Sequence, residues 1–299
     1  MPADPPGQSA DRPTVAYQGE TGAFAEEAVL AFFADPVPVA FPTWRAVFEA
    51  VQEGAADAGA VPIENSLAGT IRENHDLLVE FGPAGTRIVG ETSVPVRLAL
   101  MAPPGATLAT IGRVYSHPQA LAQADAYLRQ RPWQVMTTYN TAGAAKMVAE
   151  RGDRTEAAIA SPRVAGLYGL QLIADGIEGG RQDGGNRTRF AVIARDPLRP
   201  GWPRPGAVDG PPRTSLVFAV RNVPGSLHRS LGAFAARDLN LSRLESRPWT
   251  ERGSRWEYLF WVDLDADPAE PAARDALDAL RAETELVQVL GTYARAAED

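Results

Sequence analysis

Short apolar runs bounded by Gly, Pro and Asp alternate along the chain with longer segments whose apolar residues recur every three to four positions. Residues 14–17 predict a first strand and 22–33 a first helix. A second strand at 37–41 is followed by Thr43, a good N-cap, and a helical period that runs to residue 53. Residues 57–63 predict a third strand and 70–81 a third helix. This alternation is the signature of βαβ units around a largely parallel sheet. The β-rich stretch 87–101 then leads away toward a second lobe, where the theme repeats. Strands are expected there at 113–115, 133–138, 157–160 and 170–174, with helices at 118–129 and 141–150. Ser161-Pro162 opens a further helix, and Pro118 likewise stands where a first helical residue needs no N–H partner. A Gly-rich loop at 179–187 precedes a strand at 190–195, read as crossing back to the first lobe. The cleft between two such lobes is where a ligand is expected.

The pattern then breaks. Residues 196–213 contain six Pro and three Gly, too many for a helix or an inner strand, and read as a linker. Beyond it, strands at 214–220, 239–247, 256–263 and 286–291 and helices at 225–237 and 269–284 give the order βαββαβ, the ferredoxin-like split motif. The expected organisation is a tail at 1–13, a two-lobed unit at 14–195 with its second lobe at about 92–185, a Pro-rich linker at 196–212, and a small C-terminal unit at 213–295.

Composition narrows the chemistry. The 299 residues are 45% hydrophobic and 22% charged, ordinary globular values. There is no Cys, which excludes disulfides, thiolate nucleophiles and Cys-type metal sites. Only three His are present, His75, His117 and His228, and Lys146 is the only Lys. The remaining chemistry belongs to hydroxyls, amides, carboxylates and Arg. A net charge of −8 argues against nucleic acid as a partner. The first thirteen residues hold four Pro and no apolar core, and read as a disordered tail rather than a signal peptide. No stretch approaches the roughly 20 apolar residues of a membrane span, so a soluble, cytoplasmic protein is expected.

Four polar clusters fall at element ends. Tyr17-Gln18-Gly19-Glu20-Thr21-Gly22 is a strand-to-helix turn; taken alone, a tight turn explains it better than ligand binding. Glu64-Asn65-Ser66, with Thr70, gathers four hydrogen-bonding side chains at a strand's C-terminal end, more than one helix cap requires. Ser116-His117-Pro118-Gln119 is followed by Gln123 one helical turn on, and capping accounts for it by itself. In Gly184-Gly185-Asn186-Arg187-Thr188-Arg189-Phe190, Arg suits bidentate recognition of a carboxylate and Thr188 can donate to a leaving hydroxyl, although a polar turn would have the same composition.

Together, in this order, the clusters resemble a known family. Asn186-Arg187-Thr188-Arg189-Phe190 is similar to the Asn-x-Thr-Arg-Phe signature of prephenate dehydratases, and the stretch 62–69, the Ser-His-Pro-Gln block and the Tyr-x-Gly turn resemble that family's other blocks. Pro224-Gly225-Ser226-Leu227 and Glu245-Ser246-Arg247-Pro248 resemble the two phenylalanine-binding motifs of its ACT regulatory domain. The resemblance covers about 14 to 292. It implies a periplasmic-binding-protein-like catalytic domain of two α/β lobes plus a ferredoxin-like ACT domain, acting on prephenate without metal or cofactor. It also implies L-phenylalanine as allosteric effector, a homodimer or homotetramer, and no nucleic-acid or membrane partner. By the same resemblance Thr188 donates to the leaving hydroxyl, Arg189 pairs with a substrate carboxylate and Phe190 forms an apolar wall. Asn65, Ser66, Gln119 and Asn186 orient the substrate, with Glu64 and Thr21 as further contacts, while Asn222 and 224–227 meet 245–248 of a second chain around the effector. Three departures stand out: Gly-Ser-Leu replaces the usual Gly-Ala-Leu, the Gln-Gly-x-x-Gly-Ala turn resembles a form shared with arogenate dehydratases, and no helical chorismate mutase segment precedes residue 14, as in the monofunctional form. Arogenate dehydratase is the close alternative, and a non-catalytic small-molecule sensor the distant one.

Overall fold

The structure is a computed structural model that describes residues 12–179, 185–249 and 258–296. The expected disordered tail and the centre of the Gly-rich loop lie almost wholly outside the described residues. The first lobe comprises β1 (Thr14–Gln18), α1 (Phe24–Phe32), β2 (Val37–Phe41), α2 (Trp44–Glu53), β3 (Ala58–Asn65), the short β4 (Gly69–Thr70), α3 (Arg72–Phe81) and β5 (Arg87–Pro95). Thr43 caps α2 as expected, accepting from Ala46 N at 3.1 Å. The second lobe holds β6 (Ala99–Ala102), β7 (Arg113–Ser116), α4 (Pro118–Gln123), α5 (Asp125–Leu128), β8 (Gln134–Thr137), α6 (Thr141–Arg151), β9 (Glu156–Ala160), α7 (Arg163–Tyr168) and β10 (Gln171–Asp175). The chain then returns to the first lobe as β11 (Arg187–Ala194).

The first sheet runs β2-β1-β3-β11-β5, with β4 paired to β3; the second runs β10-β6-β9-β7-β8. The βαβ portions are parallel, as the alternation predicts, while β11 runs antiparallel to both β3 and β5. The β-rich stretch 87–101 comprises two strands, because it crosses between the lobes after Pro95. The helix expected at 118–129 breaks at Ala124, where the Gln123 carbonyl accepts from Gly179 N instead of continuing the helical ladder. Ser161 does not cap α7; its hydroxyl donates across the lobes to Glu27.

The C-terminal unit is β12 (Pro212–Ala219), α8 (Ser226–Ala235), β13 (Leu241–Pro248), β14 (Tyr258–Leu264), α9 (Pro271–Glu283) and β15 (Leu286–Ala294), in an antiparallel sheet of order β13-β14-β12-β15. Helices α8 and α9 cover one face around Phe218, Phe234 and Leu277. The other face docks on the first lobe, where Val217, Trp261, Leu290 and Tyr293 share a core with Ile63, Leu78, Ala191 and Ile193. Docking requires close backbone approach at Gly291, because a Cβ there would collide with the Ile88 carbonyl. The Pro-rich segment is fastened rather than loose: Ala34 N donates to Trp202 O, and Arg204 N to Phe32 O. Among the described residues, no helix is long and apolar enough to cross a membrane.

Candidate active site

All of the signature segment except Asn186 lies inside β11, which begins three residues earlier than its apolar run suggests. Side chains alternate along a strand, so neighbours in this segment face opposite ways. Thr188 and Phe190 face the interlobe cleft; Ala191 and Ile193 face the core shared with the C-terminal unit. On the neighbouring strand, alternation alone would put Pro62 and Asn65 on opposite faces. A β-bulge, where Phe190 pairs with Pro62 but Arg189 with Glu64, brings both to the cleft and turns Glu64 away. Asn65 is thereby set directly opposite Thr188.

Asn65, 2% exposed, is fully engaged. Its Nδ2 donates to Thr188 Oγ1 at 3.0 Å and Asn186 Oδ1 at 2.9 Å, with Arg187 O at 3.1 Å, while its Oδ1 accepts from Leu67 N and Ala68 N. It therefore acts on a ligand through Thr188, as a positioning residue. The consequence for Thr188 is directional. With its oxygen accepting from Asn65, its hydroxyl hydrogen is left free to donate to a ligand in the cleft.

The cleft encloses about 300 Å³. Apolar walls come from Phe24, Trp44, Ile71, Leu98 and Phe190, and polar groups from Gln18, Asn65, His117, Gln119, Gln123, Tyr139, Asn140, Thr141 and Thr188. That is the apolar vessel with a few placed polar groups expected of a small-molecule site. His117 caps α4, its Nδ1 accepting from Gln119 N, and burial lowers its pKa, which favours the neutral ring. Among the described residues lining the cleft there is no Arg, Lys, Asp or Glu. Gln18 belongs to the first polar cluster read from sequence, whereas Tyr139, Asn140 and Thr141 were not singled out; the available signal was that Asn140 precedes a helix whose N-terminus opens on the second lobe's ligand side.

Several expected contacts lie elsewhere. Arg189 does not reach the cleft. Its guanidinium meets Asp263 at 2.6 Å, with Glu64 and Glu91 at 3.7 and 3.8 Å, on the face covered by the C-terminal sheet. Burial alone would lower its pKa, but Asp263 and Glu91 more than reverse this and keep it charged. Glu64 shares that side. Ser66 bridges two backbones, donating to Gly185 O at 2.6 Å and accepting from Arg187 N at 3.0 Å, so its hydroxyl is used in joining the two segments. Thr21 is exposed beside the mouth and does not line the cleft, its carbonyl accepting from Tyr168 Oη. At that mouth Glu20 of the first lobe accepts from Tyr139 at 2.9 Å and pairs with Lys146 at 3.0 Å, clasping the lobes together.

A second cavity, about 410 Å³, lies in the C-terminal unit against Asn222, Gly225, Ser226, Leu227, Tyr258 and Phe260. Gly225 holds φ +80°, a conformation that favours glycine, and the Ser226 hydroxyl is turned back onto Val223 O at 2.7 Å. Pro224 sits in that turn, where its carbonyl accepts from Arg229. Glu245, Ser246, Arg247 and Pro248 do not line this cavity; they belong to β13, beyond β14. Glu245 accepts from Thr70 Oγ1, and Arg247 donates to Arg72 O and pairs with Asp76. A larger cavity of about 740 Å³ lies beneath the Pro-rich segment and shares no residue with either site.

Two α/β lobes closing on an amide- and hydroxyl-lined cleft, with a ferredoxin-like unit docked behind one sheet, define a small-molecule-binding protein of the cleft type. The sequence profile of the prephenate dehydratase family matches residues 15–198. Arogenate dehydratase 5 of Arabidopsis thaliana is 38% identical over 93% of this chain and 67% of its own length, and arogenate dehydratase 1 of Petunia hybrida 39% identical over 93% and 66%. The chain thus spans about two thirds of the length of these plant relatives. Among solved structures, prephenate dehydratase from Arthrobacter aurescens in complex with L-Phe superposes with TM-score 0.81 at 30% identity, covering 94% of this chain and 90% of that one. GqqA, described as a novel type of quorum quenching acylase, gives TM-score 0.81 at 33% identity over 94% and 98%. The chain belongs to the prephenate dehydratase family.

Proposed function

We propose that this protein is a prephenate dehydratase, converting prephenate to phenylpyruvate, carbon dioxide and water in phenylalanine biosynthesis. The observation that carries the reading is Thr188, buried to 8% exposure on the cleft wall, with its oxygen accepting from Asn65 and its hydrogen free to donate to a ligand. In the reaction the bond to the ring carboxylate breaks, its electron pair enters the ring as a π bond, and the C4–O bond breaks. The departing hydroxyl needs a hydrogen donor, which Thr188 supplies, the proton being made up from solvent. A hydroxyl whose oxygen is already an acceptor is arranged as a donor, not as a nucleophile. Gained aromaticity supplies much of the driving force, and the apolar wall of Phe190 suits a carboxylate that must lose its charge. No metal or cofactor is needed for these steps.

Arogenate dehydratase is the second reading, supported by the plant relatives. Arogenate carries an ammonium where prephenate carries a keto group, and the described cleft lining holds no carboxylate to pair with it, which favours prephenate. Purified protein given prephenate and arogenate side by side, followed by phenylpyruvate and phenylalanine formation, separates the two. Thr188→Val removes the hydroxyl while leaving Asn65 its other acceptors, and is expected to lower kcat by roughly 10²–10⁴-fold with the fold intact. Near-normal turnover of that variant would overturn the role of Thr188.

The proposal extends to residues 14–195 as the catalytic unit, 196–212 as joint and 213–295 as an ACT regulatory unit whose cavity takes L-phenylalanine. Alternation along β13 turns Glu245 and Arg247 onto the first lobe but leaves Ser246 and Pro248 exposed, a face suited to a second copy in a homodimer or homotetramer. A cytoplasmic location is part of this reading.

A further inference from the structure

Prephenate carries two carboxylates, yet the described lining of the cleft contains no Arg or Lys. Two helices begin at its wall instead, one from each lobe. Ala23, the N-cap of α1, gives no side-chain cap, so the first-turn N–H groups at Phe24 and Ala25 are uncapped where they border the cavity. Across the cleft α6 begins at Thr141, with Asn140 Oδ1 accepting from Gly143 N. Helix N-termini carry partial positive charge and free N–H donors, but that alone does not make a site.

The second observation is the other end of the Asn140 amide. The side chain is 9% exposed and lines the cavity, and its Nδ2 is buried without a hydrogen-bond partner. It faces the Gly19 turn of the first lobe, where a Cβ would come within 3.4 Å of it. Burying an unsatisfied donor is costly, and an acceptor that reached it from the cleft would remove the cost.

We propose that Asn140 Nδ2, with the opposed N-termini of α1 and α6, forms the subsite for the side-chain carboxylate of the substrate, the one retained in the product. This rests on the dehydratase reading and adds which carboxylate goes where. The ring carboxylate has to give up its charge as carbon dioxide leaves; donors held against it would stabilise the ground state more than the transition state. The side-chain carboxylate keeps its charge throughout, so donors there anchor the substrate without opposing the chemistry.

The test uses phenylpyruvate, which retains only that carboxylate, as the probe for the full-length protein. Asn140→Asp preserves an acceptor for Gly143 N and replaces the free donor by an oxygen. Its calorimetric Kd for phenylpyruvate is expected to rise by about tenfold or more, and KM for prephenate to rise with kcat held within about threefold. An unchanged Kd in the folded variant overturns the subsite even if the wild type is an active dehydratase. Should Asn140→Asp fail to fold, Asn140→Ser retains a capping hydroxyl, loses the amide and carries the same expectation. A wild-type protein that turns over neither prephenate nor arogenate overturns the dehydratase reading instead, and the phenylpyruvate comparison still decides the subsite.

Discussion

Thr188 and Arg189 are adjacent in sequence, but one strand residue separates a cleft from a buried interface. The Arg189–Asp263 pair is extended by Ser215, which donates to Asp263 at 2.6 Å and bonds Tyr293 at 2.7 Å, and by Arg213 with Glu91 at 2.8 Å. Despite burial, which would raise it, the Asp263 carboxyl is held below its usual pKa by Arg189 and Ser215. Arg189→Met leaves that carboxylate uncompensated, and the expected loss is about 3–5 kcal/mol of stability, read as a lower urea midpoint. A role in binding the substrate carboxylate would instead raise KM and leave the midpoint in place, so the two are separable in one variant. At this scale the sequence was legible as residue types, and Thr188, Asn65 and Gln119, which the structure places on the cleft wall, could be named for that reason. Which way Arg189, Glu64 and Ser66 point was hidden, because a bulge and an early strand start decide it and neither leaves a mark in the apolar pattern.

Strand β13 and helix α3 form the seam that joins the C-terminal unit to the segment after Asn65. His75 of α3 is 1% exposed and stands edge-on to Trp261, ring centroids 4.1 Å apart. Its geometry fits one neutral tautomer, with Nδ1–H donating to Ile71 O at 3.1 Å and Nε2 accepting from Arg243 at 2.9 Å. Burial first, and then the Arg243 charge, push its pKa down from 6.5 to about 4. Between those values the unfolded chain binds a proton that the folded chain refuses, so this contribution is complete above pH 6.5 and lost as pH falls toward 4. The shift corresponds to roughly 3 kcal/mol. Urea midpoints at pH 7.5 and pH 4.5 should diverge more for the wild type than for His75→Gln, and equal divergence would exclude His75 as the cause. Most elements were readable from periodicity and caps. The break at Ala124 was not, since a carbonyl taken by a residue more than fifty positions away has no local signal.

At the scale of the molecule, three sheets are arranged so that the first has a ligand cleft on one side and the C-terminal sheet on the other. The order βαββαβ was plain in sequence, whereas the docking was not. A trace existed in β12, where residues 213–219 are buried without interruption, the mark of a strand covered on both faces. Strand β11 touches both the cleft, through Thr188, and the C-terminal sheet, through Arg189, so one strand joins the two units. L-phenylalanine at millimolar concentration is expected to bind with measurable heat and to change the affinity for prephenate by roughly 5–150-fold, the ordinary range of such coupling. Absence of binding would leave the C-terminal unit as a docking module alone.

The clasp at the cleft mouth has a practical consequence. Lys146, which pairs with Glu20 there, is the only lysine in the chain. Every amine-directed reaction at a side chain of this protein, whether acetylation, reductive methylation or coupling to a dye or surface, has a single address, and that address is the latch between its two lobes. Such reagents, ordinarily indifferent labels, would here act on the entrance to the cleft.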